Sequence, residues 1–203
     1  MTKNSRQLLT PQDLAIIRED IAQKYRKAAV SPKGLFRYPT GEASARGLGY
    51  CLDLLPAIPL AVRDRFVGVG NPFSLGPIHA GESVLDLGCG AGFDSFFAGQ
   101  LVGLKGQVVG VDLSPEMLAV ARAAQAEAGS PQVEFCQAPV EALPFPDASF
   151  DIALSNGVLN LVPDKPAALR EILRVLRPGG RLQACDIGLV GDRPPLDKAP
   201  WSD

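Results

Sequence analysis

Long apolar runs are missing from this chain. No stretch of about 18 apolar residues occurs, so a membrane-spanning helix is not expected. The opening residues Met1 to Gln7 lead into no apolar leader core. A cytoplasmic location is the resulting expectation. Histidine occurs once, as His79. The four cysteines, Cys51, Cys89, Cys136 and Cys185, are far apart and form no C-x-x-C pair. That spacing argues against a zinc knuckle, and no metal centre is expected. In a reducing compartment free thiols are expected rather than disulfides. Neither sign of charge dominates: 20 Lys and Arg face 22 Asp and Glu, for a net charge of −2. The footprint of a nucleic-acid-binding chain is therefore lacking, and no basic tract marks a membrane surface. Internal repeats are lacking too. What is present is 203 residues with 46% hydrophobic content, enough for one domain with a real core and an appendage.

The informative stretch is Ser83-Val-Leu-Asp-Leu-Gly-Cys-Gly-Ala-Gly92. An apolar strand pattern runs into glycines at 88, 90 and 92. Glycine permits φ > 0 and close approach of a ligand to the backbone. A strand that breaks into such a loop and then a helix builds a nucleotide site at the carboxyl edge of a sheet. Asp112, twenty positions past Gly92, sits where an acidic residue takes ribose hydroxyls. The spacing also separates two ligands. A dinucleotide fingerprint G-x-G-x-x-G from Gly88 needs glycine at 93, and the residue there is Phe93. A nicotinamide cofactor is disfavoured on that ground, because a pyrophosphate needs the amides of a helix start.

Around this stretch the chain alternates strand and helix patterns. Strands are predicted at 83–88, 107–112, 132–136, 150–155 and 181–187. Helices are predicted near 93–102, from the Ser114 cap and Pro115 to Ala128, near 139–142, and from the Asp164 cap to about Leu176. Such alternation argues an α/β fold, a doubly wound parallel sheet with helices on both faces and the first strand at its centre. Upstream, Thr10, Pro11 and Asp13 start a helix that ends near Val30. Residues 31–50 read as a loop, and 51–66 as a short helical stretch interrupted by Pro56 and Pro59. The expected organisation is an N-terminal helical and loop extension over 1–75 (a lid or cap), a core over 76–190, and a polar tail over 191–203.

Further strings carry a resemblance. Leu48-Gly49-Tyr50, Gly70-Asn71-Pro72, D-L-G-C-G-A-G-F-D at 86–94, G-V-D-L-S-P-E-M at 110–117, S-N-G-V-L-N-L-V-P-D-K-P at 155–166 and L-R-P-G-G-R-L at 176–182 occur in order. Over residues 48 to 187 the chain resembles the arsenite methyltransferase family. The resemblance implies a Rossmann-like methyltransferase fold and S-adenosyl-L-methionine as cofactor. It implies Asp86, Gly88, Cys89 and Gly90 at the cofactor's amino-acid end and Asp112 on the ribose. It implies Leu113 and Met117 beside the adenine, Val140 and Glu141 at the adenine edge, and Asn156 on the methyl-transfer side. The family fold has seven strands, of which five are visible here; the last two are missing. The open edge beyond strand 181–187 then needs a cover: further chain, the N-terminal helix, or a second copy in a homodimer.

The acceptor end departs from the family. Trivalent arsenic is soft and is held there by thiolates. The family cysteine of a G-C-G-N-P loop is Val69 here, and that of S-N-C-V is Gly157. The paired cysteines of the N-terminal loop have no counterpart between 31 and 47. The expected activity is methyl transfer to a small-molecule acceptor, with arsenite disfavoured. The alternative is a cofactor-binding but silent subunit or remnant. Methyl transfer to a soft nucleophile needs no base, whereas an oxygen or carbon acceptor does. Asp94 and Asp164 are the nearest carboxylates, with Asp164 better explained as a helix cap. Tyr38 and Tyr50 are candidates for a lid over the acceptor, or for packing against the helices.

Overall fold

The computed structural model describes residues 10–188; the predicted tail over 191–203 lies outside them. The first helix, α1 (Pro11–Val30), starts in a capping box in which Thr10 and Asp13 satisfy each other's backbone amides. Two short helices follow, α2 (Glu42–Gly47) and α3 (Leu60–Arg63). The core then alternates β1 (Ser83–Leu87), α4 (Phe93–Val102), β2 (Gln107–Asp112), α5 (Pro115–Ala128), β3 (Val133–Gln137), β4 (Phe150–Asn156), α6 (Lys165–Val175) and β5 (Leu176–Cys185).

The sheet has five parallel strands in the order β3-β2-β1-β4-β5. β1 is central, with Leu85 beside Val109 on one side and Ala153 on the other. Alternation along the strands feeds two cores. Leu85, Leu87, Val109, Val111 and Ala153 meet Ala168, Ile172 and Val175 of α6. Val84, Val108, Ile152 and Leu154 meet Ala98 and Val102 of α4. Strands this apolar are the expected result of burial on both faces. A third cluster joins the N-terminal segment to the core: Tyr50, Leu55, Ile58, Val62 and Phe66 pack on Phe93, Phe96 and Phe97 of α4.

Three predicted boundaries differ from the structure. No helix forms over 139–142; the segment is a turn closed by Ala142 N–H donating to the Pro139 carbonyl at 3.1 Å. Pro139, Pro144 and Pro146 limit its amide donors, and the Leu143 N–H goes to the Glu171 carboxylate at 2.8 Å. Conversely, α2 lies in the stretch read as loop. Glu42 opens it and pairs with both Arg46 and Arg63. The last strand begins at Leu176 rather than 181, because the chain leaves α6 already paired with Phe150. Arg177-Pro178-Gly179-Gly180 then bulges, with Gly179 at φ +83°, before Arg181 pairs with Ile152.

β5 ends the sheet among the described residues. α1 packs on α5, not on β5, so it is not the cover that the open edge calls for. No helix among the described residues is long and apolar enough to cross a membrane. Gly110 in β2 shows how closely α4 sits on the sheet: a Cβ there would lie 2.8 Å from Phe135, 2.8 Å from Ser95 Oγ and 2.9 Å from Cys89 Sγ. Gly110→Val is expected to destabilise the chain by about 1–3 kcal/mol through overpacking, read as a lower urea midpoint at unchanged m-value.

Candidate functional site

The site lies where β1, β2 and β4 end. Past Leu87 the chain enters left-handed backbone three times, at Gly88 (φ +62°), Gly90 (φ +54°) and Gly92 (φ +92°). Each glycine serves a different neighbour. A Cβ on Gly88 would lie 2.5 Å from Val158, and one on Gly92 would lie 2.7 Å from Phe135. A Cβ on Gly90 would meet nothing within 4 Å, because that residue opens onto a cleft. The loop is tied to β2 twice. Cys89 N–H donates to the Val111 carbonyl at 2.9 Å, and Gly90 N–H donates to Asp112 at 2.8 Å.

The cleft measures about 190 Å³. Of the residues expected from the sequence, Asp86, Gly88, Cys89, Gly90, Asp112, Leu113, Val140, Glu141 and Asn156 line it. Met117 does not. It is fully buried between α5 and α1, against Ala28 and Ala29. The structure therefore brings nine together and sets Met117 behind the wall. His79 lies before β1, exposed, at the opposite end of the strands. Asp164 caps α6 through the Ala167 N–H at 2.9 Å and is not in the cleft.

α1 contributes a wall that strand and loop motifs do not announce. Arg18, Ile21, Ala22, Tyr25 and Arg26 face the cleft. Arg18 pairs with Glu141 at 3.5 Å and Arg26 with Glu116 at 3.0 Å, one on each side of the opening. Arg65 holds the end of α1, donating to the Ala29 carbonyl at 2.5 Å and the Val30 carbonyl at 3.2 Å. The available signal for Tyr25 was its place in the helical apolar repeat, which marks packing and not a site.

Five carboxylates line this cleft: Glu116 and Glu141, paired with Arg26 and Arg18, and the buried Asp86, Asp94 and Asp112. The three aspartates are held differently. Asp86 accepts from Ser95 Oγ at 2.6 Å. Asp94 accepts from the Tyr50 hydroxyl at 2.6 Å and from Asn156 Nδ2 at 2.9 Å. Asp112 accepts from Gly90 and Ser114 N–H, one on each oxygen, both at 2.8 Å. Their hydrogen-bond donors are hydroxyls and amides, none of them a cation. Burial pushes all three up from the usual carboxylate range. Asp94 rises to about 6, with the Tyr50 and Asn156 hydrogen bonds holding it back. Asp86 rises further because Asp94 and Asp112 repel its charge as well.

Asn156 ties the segment at Val69 and Gly70 to Asp94. Its Oδ1 accepts from Val69 N–H at 2.8 Å and Gly70 N–H at 3.1 Å, while its Nδ2 donates to Asp94 and the Gly70 carbonyl. Tyr50 is buried among Phe66, Phe73, Phe93 and Phe97. Tyr50 packs against α4, the second of its two readings, and its hydroxyl reaches Asp94 and Asn156. Tyr38 donates to the Val67 carbonyl at 3.1 Å. Val69 and Gly157, far apart in sequence, are neighbours: a Cβ at 157 would lie 3.3 Å from Val69 Cγ1. The four thiols are free, with Cys51 exposed, Cys89 buried, and Cys136 and Cys185 half-buried. Among the described residues no three His, Cys, Asp or Glu side chains are grouped to hold a metal ion.

Residues 78–199 match the family described as Methyltransferase domain. The chain belongs to that family. Its cofactor is S-adenosylmethionine, whose positive sulfonium and ammonium fit a cleft in which Asp86, Asp94 and Asp112 have no cationic hydrogen-bond partner. Two phosphates of a dinucleotide would meet the same carboxylates with like charge. An arsenite methyltransferase of Halobacterium salinarum is 41% identical over 148 residues, covering 73% of this chain and 38% of that protein. The ubiquinone/menaquinone biosynthesis C-methyltransferase UbiE of Hahella chejuensis is 49% identical over 107 residues, covering 52% of this chain and 43% of that protein. The solved structure of CrArsM, an arsenic (III) S-adenosylmethionine methyltransferase from Chlamydomonas reinhardtii, superposes with a TM-score of 0.59 at 38% identity, covering 73% of this chain and 50% of that one. The chain thus spans half or less of these relatives' length.

Asp94 sets a pH signature on stability. Burial pushes its carboxyl up from the ordinary 3.8 to about 6 in the folded chain, so the folded state favours the protonated form. That contribution is present below the unfolded pKa and is lost as pH rises through about 6. Between about pH 5 and 7.5 the ligand-free chain is expected to lose roughly 1–1.5 kcal/mol from this group. A falling melting temperature over that window, flattened in Asp94→Asn, is the expected result of differential scanning calorimetry.

Proposed function

We propose that this chain is an S-adenosylmethionine-dependent methyltransferase whose acceptor is a small molecule not held by thiolates. The observation that carries the reading is the set of Asp86, Asp94 and Asp112 around one cleft, each hydrogen-bonded only by neutral donors. Such a set favours a cationic ligand. Asp112 keeps a free lone pair on each oxygen for the ribose hydroxyls. Gly90, with open space where a side chain would be, lets the ligand reach the backbone. Leu113, Val140 and Glu141 are assigned to the adenine, and Asp86, Gly88 and Cys89 to the amino-acid end.

Methyl transfer from a sulfonium has a good leaving group, so positioning and exclusion of water are the chain's main contributions. α1 closes the cleft from above, and Phe66, Val158, Leu161 and Val162 make its acceptor end apolar. An oxygen or carbon acceptor would lose a proton, and Asp94 is the carboxylate assigned to take it, held by Tyr50 and Asn156. Relatives named for arsenite and for quinones bracket the acceptor without choosing it. Against arsenite stand Val69 and Gly157, which put an isopropyl group and a bare backbone side by side. A soft metalloid needs converging thiolates.

Titration calorimetry with S-adenosylmethionine tests the cofactor half. Asp112→Ala is expected to weaken binding by about 10- to 100-fold, the worth of hydrogen bonds to a charged acceptor. NAD is expected to give no heat with either protein, and tight NAD binding would sink the assignment. For the acceptor half, the double substitution Val69→Cys and Gly157→Cys is expected to create arsenite binding absent from the parent chain. Position 157 is left-handed (φ +74°), so the cysteine there carries a strain of about 1 kcal/mol. Arsenite turnover by the unmodified chain would overturn this part of the reading.

A further inference from the structure

We propose that the Asp86–Asp94–Asp112 cluster reads the charge on the ligand's sulfur, releasing a proton for the sulfonium and keeping it for the neutral thioether product, S-adenosylhomocysteine. The inference rests on the cofactor reading above and deepens it. The two compounds share the adenosine, the ammonium and the carboxylate; the methyl group and one positive charge separate them. A cleft that merely fits their common parts binds both alike. A cleft whose buried carboxylates hold protons more tightly when it is empty does not.

The groups facing the cluster come from every element around it. Asp94 meets Tyr50 from the N-terminal segment, Asn156 from β4, Asp86 from β1 and the Cys185 thiol of β5. Asp112 meets the loop amides, Ser114, the Cys89 thiol and, from α1, the Tyr25 phenol. Both phenols and both thiols are themselves pushed up by burial, so they stay neutral and offer no countercharge. The nearby guanidiniums are engaged elsewhere. Arg18 and Arg26 pair with Glu141 and Glu116, Arg65 caps α1, and Arg122 donates to the Phe135 carbonyl. The proton is therefore the cation that the empty cluster can recruit, and a sulfonium is a cation that can replace it. Asp94 is the member whose titration falls in the working range, with the Tyr50 and Asn156 hydrogen bonds holding it at about 6.

The consequence is a preference for substrate over product that grows with pH until Asp94 is ionised in the empty protein. Below that point each pH unit is expected to change the ratio of the two dissociation constants by up to about tenfold, and above it the ratio levels off. Titration calorimetry of the full chain with each compound, from about pH 5 to about pH 8, in buffers of different ionisation enthalpy, reads both the ratio and the proton count. Expected near pH 6 is net proton release with S-adenosylmethionine and little with S-adenosylhomocysteine. Tyr50→Phe removes a hydrogen bond that lowers Asp94, so the levelling-off point is expected to move to higher pH. Asp94→Asn is expected to flatten the ratio. Where that variant fails to fold by circular dichroism, the proton count of the unaltered chain decides alone. Binding of both compounds with a pH-independent ratio and equal proton counts overturns the proposal while leaving the cofactor reading intact. Binding of neither compound at any pH overturns the cofactor reading itself, and this proposal with it.

Discussion

The rest of this structure depends on how β1 is made to end. Three left-handed glycines turn the chain away from the sheet in five residues, and two hydrogen bonds to β2 fix where the turn stops. The bond from Gly90 to Asp112 uses a buried carboxylate as a backbone tie. The loop and the second strand therefore share one geometry. α4 starts directly from the loop, which sets Asp94 and Ser95 beside Asp86. From there the aromatic contacts of α4 draw in Tyr50 and Phe66, and with them the N-terminal segment. Without the turn neither the carboxylate cluster nor the seat for residues 45–66 exists.

Close packing around the turn explains why it is so specific. Val158 and Phe135 occupy the places where side chains on Gly88 and Gly92 would go. One of these comes from the loop after β4 and the other from β3, so the strands on both sides of β1 are sensed by the loop between them. The cost of this arrangement is electrostatic. Three carboxylates are buried together, and their donors are neutral. A stable empty state is possible because such groups hold protons when no cation is near. Ligand recognition and the chain's own stability are thereby linked through the same atoms.

Much of this could be read from the sequence where short-range rules act. The left-handed glycine triplet, the Ser114 and Asp164 caps and the first four strand patterns each depend on residues within a few positions of one another, and the structure bears them out. Failures came where distant residues decide. The turn at 139–142 is not continued as a helix: prolines follow at 144 and 146, and Glu171, 28 residues away, takes the Leu143 amide. Met117, set beside the adenine by the family resemblance, is fully buried against Ala28 and Ala29 of α1 and does not line the cleft. α1 itself was legible as a helix, but its position over the cleft was not. That position depends on Arg18, Arg26 and Arg65 reaching partners up to 123 residues away.

The bulge at Arg177–Gly180 lies at the amino end of the sheet, opposite the cleft. It absorbs a mismatch of register there: two steps along β4, from Phe150 to Ile152, answer five along β5, from Leu176 to Arg181. From Arg181 onward the two strands run in step to Asn156 and Cys185. The bulge works as an expansion joint, so slack in the chain is confined to the end of the sheet where nothing is bound. The alignment of Asn156 with Val69 and Gly70 is thereby insulated from the length of the connection that leads out of α6.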